Sequence, residues 1–74
     1  MNQTSTLADR CDQDASSAVY YAERAGRHRL NALMRPTEAK VSELAARACE
    51  RQVVKLANKL QVRLRLLADQ GPKA

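Results

Sequence analysis

At 74 residues the chain has room for one small domain, 1–74, with a modest core. Hydrophobic residues make up 45%, rich in Ala and Leu, with no Phe or Trp and two Tyr, and the formal net charge is +5. Two cysteines and two glycines are too few for a disulfide scaffold or a glycine-rich phosphate loop, and Cys11 and Cys49 match no zinc or redox spacing.

The first predicted element is a helix over 6–34. Thr6 with Asp9 three residues later approximates a capping box. From there small apolar residues recur at Leu7, Cys11, Ala15, Val19, Ala22, Gly26, Leu30 and Leu33, in steps of 4, 4, 4, 3, 4, 4 and 3, the spacing of one helix face. A restart of this helix near Asp12–Ala15 is the alternative. Gly26 reads as a packing notch for a neighbouring helix or as a weak point. Asp9, Asp12 and Asp14 read as a solvated helix start matched to the macrodipole, and His28, between Arg27 and Arg29, as a solvated surface histidine.

The break falls at Arg35-Pro36-Thr37, because a residue before proline is pushed out of the α region. Thr37 is the expected cap of a second helix over 37–69, ended by Gly71-Pro72. Its apolar stripe, Val41, Ala45, Cys49, Val53, Leu56, Leu60, Leu64 and Leu67, repeats the same steps. A connection this short makes the two helices antiparallel neighbours. The predicted fold is therefore all-α, an antiparallel two-helix hairpin assembling into a helical bundle with itself or a partner. Residues 1–6 and 70–74 are expected to fray.

Charge supports the pairing. Residues 1–23 carry Arg10 against Asp9, Asp12, Asp14 and Glu23, a net of −3, and residues 24–74 carry twelve Lys or Arg against four acids, a net of +8. In a hairpin turning at Pro36 the acidic start meets the basic end, with Asp9 level with Arg63, Asp14 with Asn58, and Lys59 and Arg65 close by. Cys11 and Cys49 lie at different heights of such a hairpin, which excludes an intramolecular disulfide and leaves two buried free thiols.

No pairing of nucleophile and base, no metal-ligand spacing and no cofactor motif is present, so the expectation is a non-enzyme without catalytic residues, metal, cofactor or small-molecule substrate. The start of the chain lacks a signal peptide's basic and apolar regions, and no apolar run is long enough to span a membrane, so the expected compartment is the cytoplasm. In the second helix Leu44, Val54, Val62 and Leu66 fall outside the main stripe, more apolar surface than one partner helix covers. The expected partner-binding residues are Val53, Leu56, Leu60, Val62, Leu64, Leu66 and Leu67, and the expected partner is another protein, a second copy, or both. The alternative is a small nucleic-acid binder that places Arg47, Arg51 and Lys55 on phosphates.

Two helices in under 80 residues, an acidic start and a short turn at Arg35-Pro36 form a layout that resembles the small helical-hairpin needle co-chaperones of type III secretion systems. The resemblance covers residues 7–69 and implies a hairpin that supports a larger helical chaperone. The reading drawn from the whole sequence is a non-catalytic helical adaptor or co-chaperone that holds its partner through the apolar face of the second helix.

Overall fold

The computed structural model describes residues 6–70. Helix α1 spans Leu7–Met34, a 3-10 turn spans Pro36–Glu38, and helix α2 spans Ala39–Gln70. The two helices pack antiparallel and no strand occurs among the described residues. At 28 and 32 residues they run about 42 and 48 Å at helical rise. No helix among the described residues is long and apolar enough to cross a membrane.

The capping box forms as read. Thr6 Oγ1 accepts from the Asp9 N–H at 3.1 Å, and the Asp9 carboxylate accepts from the Thr6 N–H at 3.2 Å. Helix α1 then continues through Asp12–Ala15 without a restart. At its other end Arg35 sits at φ −132°, ψ 84°, outside the α region that Pro36 disfavours for the residue before it. Thr37 does not cap α2. It lies inside the 3-10 turn, which has no side-chain cap of its own. The turn is held instead by Asn31, whose Nδ2 donates to Glu38 Oε1 at 3.1 Å and to Ser42 Oγ at 2.8 Å. Thr6 and Gln70, expected to fray, lie within the hairpin as cap and last helical residue. The remaining frayed-end expectations, 1–5 and 71–74, and the Gly71-Pro72 stop fall outside the described residues.

The helices meet along a seam that differs from the predicted stripes. In α1 the buried and half-buried positions include Leu7, Cys11, Asp14, Ala18, Tyr21, Ala25, His28 and Ala32, in steps alternating 4 and 3. In α2 they include Ala39, Ser42, Ala46, Cys49, Val53, Leu56, Leu60, Arg63 and Leu67, alternating 3 and 4. This is the 3.5-residue repeat of a left-handed coiled coil, which keeps one line of each helix facing its partner throughout. The predicted stripes advance by about 3.7 residues per turn and rotate off that line. Val19 is consequently 57% exposed, Leu30 59%, Leu33 82% and Val41 72%.

Small and polar residues fill the fully buried positions of the seam. Cys11, Ala25, Ala46 and Cys49 are its buried apolar members, and Ala46 is fully enclosed. Both cysteines are free. Asp14, read as solvated, is buried, and its Oδ2 accepts from Arg63 Nη1 at 2.7 Å. His28, read as a surface residue, is half-buried on the seam. Gly26 faces outward, and a methyl added there would meet nothing within 4 Å. It is a weak point and not a notch. Gly26→Ala should therefore stabilise the hairpin by about 1 kcal/mol through helix propensity alone. Read at a chain concentration where the hairpin is monomeric, a rise in the urea midpoint with an unchanged slope would show this; a fall would mean that α2 packs on Gly26.

Candidate protein-binding faces of the hairpin

A two-helix coiled coil has two broad faces, one on each side of its seam, and the heptad position of a residue decides which face it serves. On the first face the edges of the helices are tied by charge. Arg29 reaches across from α1 to hydrogen-bond both carboxylate oxygens of Glu50, and its Nε lies 3.9 Å from Glu43. Glu43 thus turns toward α1. The hydrogen bond from Arg29 holds the Glu50 carboxyl below the ordinary carboxylate range against some desolvation, and the charges of Arg29 and Arg47 add to the effect. The same bond raises the Arg29 guanidinium.

Beside this pair lies a shallow groove between the helices, lined by Ala22, Ala25, Gly26, Val53 and Val54. Seven-residue steps from Glu43 and Glu50 along α2 lead to Ala57 and Leu64, and matching steps back from Arg29 lead to Ala22 and Ala15. The face away from the turn is therefore apolar: Val54 is 59% exposed and Leu64 47%.

The second face has a different character. Tyr20 meets Tyr21 edge to face at 5.2 Å between ring centres, and the Arg24 guanidinium lies 5.5 Å above the Tyr20 ring. Arg24, Arg27, Lys55 and Lys59 share this side, and none of them forms an ion pair among the described residues. On α2 a groove is lined by Gln52, Lys55, Leu56, Asn58, Lys59 and Val62. Val62 and Leu66 are both at least half exposed and continue it toward the helix end.

The seven expected partner-binding residues thus divide three ways. Val53, Leu56, Leu60 and Leu67 are half-buried on the seam against α1, Leu64 serves the first face, and Val62 and Leu66 serve the second. Arg47, Arg51 and Lys55 are all exposed and line one shallow groove on the outer surface of α2 together with Glu50 and Val54. Ala22 and Gly26, read as part of the buried stripe of α1, are exposed beside the seam, as is Ala57 on α2. Among the described residues no group of three His, Cys, Asp or Glu is placed to hold a metal ion. Comparison with protein families, curated proteins and solved structures finds no match to this chain.

Proposed function

We propose that the protein is a non-catalytic helical adaptor or co-chaperone that binds another protein through α2. The observation that carries this reading is the inversion of its apolar surface. Among the described residues four apolar ones are buried, while eleven large ones, Val62 and Leu66 among them, stand in solvent. A stable solitary hairpin has no use for that arrangement, because each large side chain left in water forgoes roughly 1.5–3 kcal/mol of burial.

The second face suggests the chemistry of the partner. An apolar floor of Leu56, Val62 and Leu66 beside Lys55 and Lys59 suits an amphipathic helix with an apolar stripe and acidic flanks. Val53, Leu60 and Leu67 act from beneath by holding α1, so their loss would weaken the scaffold as well as the groove. The layout shared with needle co-chaperones agrees with such a role. A nucleic-acid role for Arg47, Arg51 and Lys55 has less support, since Glu50 and Val54 share their groove and Arg24 covers the Tyr20 ring that a base would stack on.

The test uses a labelled synthetic helix of about 20 residues with one Leu stripe flanked by Glu, titrated with the full chain. Binding should weaken at least tenfold in Val62→Glu/Leu66→Glu, whose helicity stays intact, since two buried side chains are lost. Absence of peptide binding together with salt-dependent binding of duplex DNA, abolished by Arg47→Ala/Arg51→Ala/Lys55→Ala, would replace this reading with the nucleic-acid one.

A further inference from the structure

We infer that a second copy of the chain covers the first face, the one carrying Ala15, Val19, Ala22, Val54, Ala57 and Leu64, to form a two-fold four-helix bundle. The inference is independent of the partner groove, which lies on the opposite side.

Three observations carry it. The face is apolar where the two helices run side by side, with Val19, Val54 and Leu64 between 47% and 59% exposed and small residues between them that let another pair of helices approach. Its size fits: about 42 Å of α1 by two helix widths of about 10 Å each is roughly 800 Å², the share each partner gives to a standard interface.

Charge then selects the occupant. A chain of net charge +5 repels its own copies, and a two-fold contact sets a surface against itself, so only a face of balanced charge can close such a dimer. On the first face Arg29 lies with Glu43 and Glu50, and Arg47 lies close enough to act on Glu50. On the second, Arg24, Arg27, Lys55 and Lys59 would meet their own kind. The first face is the one that admits a copy, and the four-helix arrangement would bury the apolar edges that a lone hairpin leaves in water.

Sedimentation equilibrium of the full chain across micromolar to millimolar concentrations should give twice the chain mass at the upper end. Ala22→Glu/Ala57→Glu places carboxylates where the copies meet, yet both positions are exposed in the single hairpin. It should weaken dimerisation by about 100-fold while circular dichroism keeps the helical signal. Val62→Glu/Leu66→Glu should leave the dimer unchanged. A monomer at every concentration would overturn the inference. So would a dimer that survives Ala22→Glu/Ala57→Glu, or one lost in Val62→Glu/Leu66→Glu.

Discussion

Replacing Arg63 with Ala is expected to destabilise the hairpin by about 2 kcal/mol. Its guanidinium is the partner of Asp14, whose side chain is 9% exposed at the open end of the seam. Removing one member of a buried ion pair costs about 3–5 kcal/mol, because the other charge is left without a partner. Arg63 keeps 26% of its side chain in solvent, and the nearby water lowers that figure. Arg63→Lys, which keeps a charge but offers a single ammonium, should recover part of the loss. Asp14→Ala/Arg63→Ala should be less destabilised than the two single changes add up to, the sign of a direct interaction. Urea unfolding at one fixed chain concentration reads all four, since association would shift the midpoint with concentration. Additive single effects would mean that Asp14 and Arg63 do not meet.

The hairpin was legible in the sequence, and so was the meeting of its acidic start with its basic end, but the register read from the turn set Arg63 level with Asp9 and not with Asp14. Proline at 36 fixes where the first helix must end, Thr6 and Asp9 fix where it begins, and the acidic start finds the basic end because the connection is too short for anything but antiparallel packing. The line of contact was not legible. Counting apolar residues favours the largest side chain near each turn and so selects Val19, Leu30, Leu33 and Val41. The seam runs one residue away for much of its length, through Ala18, Ala25, His28, Ala32, Ser42 and Ala46. Two long helices stay in contact only if their facing residues repeat every 3.5 positions. At close approach Ala and Ser fit where Leu would force the backbones apart.

Polar members of the seam are harder still to read. Asn31 with Ser42 and Asp14 with Arg63 satisfy each other across the interface, and neither residue of a pair announces this alone. The same shift of the seam governs the candidate faces. Once the contact line is placed, Leu64 and Val62 point to opposite sides of the hairpin, and the single apolar face expected of α2 becomes two faces with different charge.

The central claim is this seam, and one pair of substitutions tests it most directly. Ala46 is fully enclosed and Val41, five residues earlier on the same helix, is 72% exposed. Ala46→Glu would drive a carboxylate into a fully enclosed position of the seam, beside an Arg29 already engaged by Glu43 and Glu50. Burial of an unpaired charge costs several kcal/mol, comparable to the whole stability of a domain this small. Val41→Glu places the same side chain in water on a helix that accepts Glu readily, and its cost should stay within about 0.5 kcal/mol. Urea unfolding followed by circular dichroism should show no cooperative transition for Ala46→Glu and a near-wild-type midpoint for Val41→Glu. A chain that tolerates glutamate at 46 and collapses with it at 41 would place the contact on the 3.7-residue stripe and contradict the seam.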